Sequence, residues 1–253
     1  MKIQHRLTQE ANAAAARYDN VVYALRAIYL SALGRQGLGS AQLLAEVRNS
    51  AYAVTGAYIN GEEKIIESVL DEIVSEAQGS VEEAFSYARA EEESGAISEL
   101  YNATNDYLLQ EITIQTVRDV ATLVEEVRRA GLSVELQRRA TGSVTPGLVE
   151  RALPNFHFRD RRHFKVASRT FIRGVWRMSM LSLYNETVLL TLADHGHDLA
   201  QIDHLDAKAP VHGSILAIAP GGETPSYEEI RAEVFHPNSD AVIVPLGAAD
   251  VSP

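Results

Sequence analysis

The chain has 253 residues, a net charge of −11 and 46% apolar side chains, and it contains no cysteine. This composition is typical of a globular protein with one large or two small domains, and it excludes disulfides, thiolate metal sites and a cysteine nucleophile. No run of eighteen apolar residues is present and the start lacks an apolar signal core, so we expect no membrane span and assembly in a cytosol.

The charges are unevenly distributed along the chain. Residues 1–117 and 178–253 each carry a net charge of −9, whereas residues 118–177 carry 13 basic and 6 acidic side chains. A basic block between acidic flanks can hold phosphate, an acidic partner protein or the acidic flanks of the same chain. Solvated helix faces with internal ion pairs would give the same pattern.

Helical periodicity dominates the first 150 residues. Apolar residues recur every three or four positions and predict helices over residues 8–33, 62–78 and 97–130. The last of these is compatible with one helix or with two. Ser40 is a candidate N-cap for a further helix, and residues 132–140 predict a weaker one.

Several glycines lie within these helical segments or at their ends. They predict helix ends or interruptions at Gly34, Gly37, Gly39, Gly56, Gly61, Gly79 and Gly131. After Gly79, the sequence Ser80-Val-Glu-Glu83 has the form of a capping box and predicts a new helix start.

The pattern changes after about Pro154. A long helical segment over residues 164–192 is followed by short apolar runs between Gly and Pro breakers. Ser226 is a candidate cap for a short helical turn. Short strands are predicted at residues 199–202, 215–218 and 241–244.

The predicted fold class is therefore mostly α. We expect a helical region over residues 1–150, followed by a small α+β domain over residues 155–253.

Histidines are concentrated near the C-terminus. His195, His197 and His204 are candidate metal ligands, since imidazole with carboxylate suits zinc, iron or manganese. However, two histidines at i and i+2 form neither a helical ligand pair nor an established zinc spacing, and histidines are also favourable at a helix C-terminus. We therefore predict no metal and no other cofactor.

Serine catalysis would need a hydroxyl, an imidazole and a carboxylate in one place. Ser214, with His212 or His236 and with Asp206, is the candidate set. No Gly-x-Ser-x-Gly elbow is present. The residues therefore favour a protein that is not an enzyme, and catalysis remains the alternative.

Arg169, Arg173 and Arg177 recur every four residues and so share one helical face. Such a row suits the phosphates of a nucleic acid, the carboxylates of a partner protein or the acidic flanks of this chain. No motif that reads a nucleotide sequence is visible. We expect the row to meet carboxylates, either from the acidic flanks of this chain or from a partner protein, with nucleic acid as the alternative.

His236-Pro237-Asn238 precedes the last apolar run. Proline fixes φ, asparagine bonds its own backbone and tolerates the left-handed region, and a histidine nitrogen can tie the loop. We therefore predict a structural loop rather than an active site. We expect Asn238 to be a buried polar group, so that Asn238→Ala lowers stability by an amount on the order of 1–3 kcal/mol.

Four of these short motifs follow one another in order over residues 160–246. They are Ser168-Arg169-Thr170, Tyr184-Asn185, Asp206 with His212-Gly213, and His236-Pro237-Asn238. The ordered set resembles the C-terminal domain of MuF-like phage head morphogenesis (minor capsid) proteins. Ser239-Asp240 stands where that family often has Cys-Arg, and the family's cysteines are absent throughout.

The resemblance implies a structural minor capsid protein of a tailed phage. Such a protein is present in the virion, and in the host cytoplasm during assembly. It acts with the portal and the major capsid protein in head assembly and genome delivery. DNA and a second copy of the chain are further candidate partners. Some proteins of this kind carry the label capsid maturation protease, which makes a protease the alternative; a nucleic-acid-binding virion protein is the second.

Overall fold

The computed structural model describes residues 2–87, 94–142, 153–159, 164–236 and 238–246. Three long helices come first: α1 (Ile3–Leu33), α2 (Ala41–Phe85) and α3 (Gly95–Thr141). A short hairpin and a fourth long helix follow: β1 (His157–Arg159), β2 (Lys165–Ala167) and α4 (Ser168–Asp194). The remainder is a small α+β region: β3 (Leu199–His204), β4 (Ile215–Ala217), α5 (Tyr227–Val234) and β5 (Ala241–Pro245). The predicted fold class is confirmed.

Three of the strands form an antiparallel sheet in the order β4-β3-β5, with β3 in the centre. Ile202 lies opposite Ile243, and Ala200 lies opposite Leu216, and all four are buried. The strands predicted at residues 199–202, 215–218 and 241–244 are confirmed in type and place. The short helix capped by Ser226 is also confirmed, and the Ser226 N–H donates to Glu229 Oε2 (2.7 Å).

The chain packs as two compact units, and neither is a continuous stretch. Unit 1 contains Met1–Asn12, Lys64–Leu108 and Arg173–Pro253, and unit 2 contains Ala13–Glu63 and Leu109–Ile172. The boundaries between the units fall inside the four long helices. The division into residues 1–150 and 155–253 stays a prediction about domain organisation.

Each unit has its own buried apolar core. The core of unit 1 includes Leu70, Ile73, Trp176, Leu183 and Ile243. The core of unit 2 includes Tyr18, Leu25, Val47, Ile112 and Leu123. Full burial of a large apolar side chain contributes about 1.5–3 kcal/mol to the free energy of folding, so these residues stabilise the packing within each unit.

Helix α2 runs without a break through Gly56, Gly61 and Gly79, so the interruptions predicted there are wrong. Each glycine costs up to about 1 kcal/mol relative to alanine, but continuous burial along the helix outweighs that cost. The buried stripe contains Ala51, Thr55, Ile66, Leu70, Ile73, Ala77 and Val81. Ser80 begins no new helix; its hydroxyl donates to the Ala77 carbonyl (2.7 Å).

Helix α3 is one helix, and it continues through Gly131, so the helix end predicted there is also wrong. A Cβ atom on Gly131 would lie only 2.6 Å from the Cα of Gly39. Glycine is therefore needed here for close approach of two backbones and not for helix termination. The Ser40 cap is confirmed, because its hydroxyl accepts from the Leu43 N–H (3.3 Å).

Within the described stretches, each helix is either too short or too polar to cross a bilayer. This agrees with the expectation of no membrane span.

Candidate functional site around the C-terminal loop

Arg177 on α4 is hydrogen-bonded to the loop that precedes β5. Its side chain is buried, with 5% exposure for the residue. Nη2 donates to the Ser239 carbonyl (2.6 Å) and to Asp240 Oδ1 (2.8 Å), and Nη1 donates to the Thr8 hydroxyl. Burial lowers the pKa of Arg177, and the Asp240 carboxylate opposes that effect. The planar fork thus fixes two adjacent loop residues to one helix.

Asn185 lies two turns further along α4 and fixes β5 itself. Its Oδ1 accepts from the Ile243 N–H (2.9 Å), and the side chain is fully buried. β5 is at an edge of its sheet. Ile202 of β3 lies opposite Ile243, and its N–H donates to the Ser214 carbonyl, on the side of β3 that faces away from β5. The Ile243 N–H therefore points away from β3, and without Asn185 this buried donor would lack a partner.

The loop tip is held through its backbone. His236 Nδ1 accepts from the Asn238 N–H (3.2 Å), and the His236 carbonyl accepts from the Ser239 N–H (2.8 Å). Both His236 and Asn238 are exposed, so the expectation that Asn238 is a buried polar group is wrong. Pro237 lies outside the described residues. The role of these three residues as a structural loop stays a prediction.

A second polar cluster surrounds Asp203 near the end of β3. Asp203 Oδ2 accepts from Gln4 Nε2 (2.7 Å) and lies 4.0 Å from Lys2 Nζ. Asp203 Oδ1 lies 3.5 Å from His212 Nδ1, which accepts from the His204 N–H (3.1 Å). That hydrogen bond needs an Nδ1 that accepts, so the approach of Asp203 Oδ1 to the same nitrogen is a close contact and not a second hydrogen bond.

The structure does not assemble the predicted serine-type set. Asp206 Oδ1 accepts from the Lys208 N–H (2.9 Å), while the carboxylate next to His212 belongs to Asp203. His236 lies in the loop before β5. In the part of the chain that the structure describes, no hydrogen bond links the exposed Ser214 hydroxyl to either histidine. The acidic neighbour of His212 is therefore Asp203 and not Asp206, and the sequence alone did not indicate this.

The candidate metal ligands are engaged in other contacts. His195 stacks on Tyr87 with centroids 4.3 Å apart, and its Nδ1 bonds the Thr191 carbonyl (2.8 Å). His197 stacks on Phe85 at 4.1 Å, and its Nε2 bonds the Tyr87 hydroxyl (3.0 Å). His204 lies apart from them, and its Nδ1 accepts from the Asp206 N–H (3.0 Å). Among the described residues, no cluster of three His, Cys, Asp or Glu is placed to hold a metal ion.

The arginine row divides into different environments. Arg169 Nη1 pairs with Asp19 Oδ2 (3.0 Å) within unit 2, and its side chain is 56% exposed. In unit 1, Arg173 is exposed, whereas Arg177 is buried against Asp240. Arg169 and Arg177 thus meet carboxylates of the acidic flanks of this chain, and burial of Arg177 keeps it from an external partner or a nucleic acid. Such a contact through Arg169 and Arg173 stays a prediction.

Unit 2 contains a buried carboxylate that the sequence interpretation missed. Asp119 accepts from the Tyr18 hydroxyl (2.7 Å), from Gln115 Nε2 (2.9 Å) and from the Ser168 hydroxyl (2.9 Å). Burial raises the pKa of Asp119 to about 6, although all three donors oppose that rise. Ser168 is only 1% exposed, so this network is closed to a substrate and is structural. Gln115 and Asp119, four residues apart on an apolar helix face, were the available signal.

No protein-family model, curated protein or solved structure matches the chain.

Proposed function

We propose that this protein is a structural minor capsid protein of a tailed phage, acting in head morphogenesis with the portal and the major capsid protein. The observation that carries the proposal is the pair of side chains from α4, Arg177 and Asn185, that fixes the loop and strand after His236-Pro237-Asn238. Asn185 and His236-Pro237-Asn238 belong to the ordered set that resembles MuF-like proteins.

The distribution of burial along this loop supports an assembly role over a catalytic one. The anchoring side chains are buried and bonded to backbone atoms, whereas His236 and Asn238 project at the exposed tip. A loop fixed at its base loses little conformational entropy when its tip meets a partner. Serine-type catalysis would instead need a reactive hydroxyl beside a histidine. The described contacts of Ser214 do not provide that pair.

The proposal places the protein in the virion, after assembly in the host cytoplasm, with the loop tip facing the portal or the shell. Quantitative mass spectrometry of purified particles from the source should find this chain, uncut and in few copies. Its absence from particles would refute the proposal.

The role of the tip can be tested by complementation with variants. His236→Ala with Asn238→Ala should reduce incorporation into particles and change the melting temperature little, because both side chains are exposed and water can replace the His236 Nδ1 bond to the Asn238 N–H. Glu223→Ala, at another exposed loop position, is the matched control and should be incorporated normally. Cleavage of co-expressed capsid proteins that disappears with Ser214→Ala would instead establish the protease alternative.

A further inference from the structure

The outer face of the last turns of α3 exposes two leucines among charged residues. Leu132 is 51% exposed and Leu136 is 66% exposed, four residues apart. Helix geometry places Glu125, Arg128, Glu135 and Arg139 around them on the same side of the helix. All four charged side chains are at least 36% exposed. We refer to the side chains on this side of residues 125–139, which are Glu125, Arg128, Leu132, Glu135, Leu136 and Arg139, as the α3 outer face.

At matching distances before and after Leu132, the α3 outer face carries charges of opposite sign. Glu125 lies seven residues before Leu132, and Arg139 lies seven residues after it. Arg128 lies four residues before, and Glu135 lies three residues after. If two such helices pair antiparallel about Leu132, each Glu125 meets an Arg139 and each Arg128 comes beside a Glu135. A parallel pair in register would bring like charges together.

Within one chain, these charges already pair along the helix. Arg128 Nε lies 2.8 Å from Glu125 Oε2, and Arg139 Nε lies 2.8 Å from Glu135 Oε1. Exposed pairs at these spacings contribute only a few tenths of a kcal/mol, so their side chains can share a second partner with little loss. Burial of the leucines then supplies the driving force, and the charges select the orientation.

We propose that the α3 outer face is a self-association surface that binds the same face of a second copy of this chain, antiparallel, with the two Leu132 side chains at the two-fold axis. Such an isologous contact is self-complementary, as a symmetric dimer requires. Fifteen helical residues span only about 22 Å. The interface therefore belongs to the small, weak class, with a Kd on the order of 10–100 μM.

Sedimentation equilibrium of the full chain tests the association. The chain should show a reversible monomer–dimer equilibrium in that concentration range. Leu132→Asp with Leu136→Asp should weaken the dimer at least tenfold, and circular dichroism should show the helices intact because both positions are exposed. Leu30→Asp is the control, since Leu30 has similar exposure (49%) on α1. A chain that stays monomeric, or a dimer lost only with Leu30→Asp, would overturn the proposal.

Cysteine crosslinking tests the orientation, and the chain offers no native cysteine to interfere. Leu132→Cys should form a disulfide-linked dimer under mild oxidation, because the two copies meet at this residue. Ala121→Cys, exposed on the same helix about three turns earlier, should not, because an antiparallel pair places the two sulfurs tens of ångströms apart. Crosslinking at both positions would indicate a parallel pair, and crosslinking at neither would exclude this surface.

Discussion

Ionisation of Asp119 is expected to oppose folding, and Asp119→Asn removes that ionisation. The carboxyl group is fully buried, and its pKa is raised from 3.8 to about 6. Because the pKa is higher in the folded state than in the unfolded state, the folded state holds the proton more tightly. The stabilisation from this group is therefore fully present below about pH 3.8 and is lost as the pH rises through about 6.

The size of the effect follows from the two pKa values. A rise from 3.8 to about 6 corresponds to a loss of about 3 kcal/mol in the free energy of unfolding between low pH and neutral pH. Roughly 1.3 kcal/mol of that loss falls between pH 5 and pH 7. An asparagine keeps one oxygen acceptor for the Tyr18 or Ser168 hydroxyl but cannot ionise, so this component should vanish in the variant.

Urea unfolding at pH 5, 6 and 7 measures the effect, with circular dichroism as the probe. The difference in unfolding free energy between the natural chain and Asp119→Asn isolates the contribution of one carboxyl group from all other titrating groups. The natural chain should lose about 1.3 kcal/mol more than the variant between pH 5 and pH 7. Asp106→Asn, at an exposed position of the same helix, should behave like the natural chain. Parallel pH dependences for the natural chain and Asp119→Asn would refute the reasoning.

Three further predictions concern the Arg177 contacts, the Asn185 contact and the helix glycines. Arg177→Ala should lower the free energy of unfolding by about 2–4 kcal/mol, and Arg177→Lys should give an intermediate loss because an ammonium cannot reproduce the planar set of guanidinium donors. Calorimetry measures both losses. Equal melting temperatures for the natural chain and the two variants would contradict the role of Arg177 in holding the loop. Asn185→Ala should lower the free energy of unfolding by about 1–3 kcal/mol and should speed hydrogen exchange of the Ile243 amide, which donates to Asn185. An unchanged exchange rate at Ile243 would exclude the contact. Gly131→Ala should destabilise the protein because the new Cβ would lie 2.6 Å from the backbone of Gly39. Gly79→Ala should stabilise it by about 0.5–1 kcal/mol because no atom lies near the new Cβ. Equal melting temperatures for the two variants would reject the close approach at Gly131.

Local sequence was sufficient for the type and approximate place of most elements. Helix and strand periods are properties of neighbouring residues, so the apolar spacing predicted α1 and α4 and the three strands of the sheet. Caps are equally local, and Ser40 and Ser226 were recognised from their neighbours. The ordered motifs likewise pointed to the loop before β5.

Glycine positions show where local information ended. Gly79 and Gly131 carry the same helix-breaking signal, and both lie inside continuous helices. In α2, burial over many turns outweighs the small cost of each glycine. In α3, Gly131 is needed for the backbone of Gly39, ninety-two residues away in the chain. Only tertiary packing could distinguish these cases from a helix end.

The sequence by itself determined the mostly α fold, the change to an α+β region and the order of the polar motifs. Tertiary structure decided which polar side chains are buried and what they bind. Arg169 and Arg177 have the same spacing in one helical row, yet only Arg177 is covered, by a loop about sixty residues later. Asp119 draws its hydroxyl donors from residues 18 and 168. Burial depends on which distant segments return to a helix, and a local window of sequence contains no information about that return.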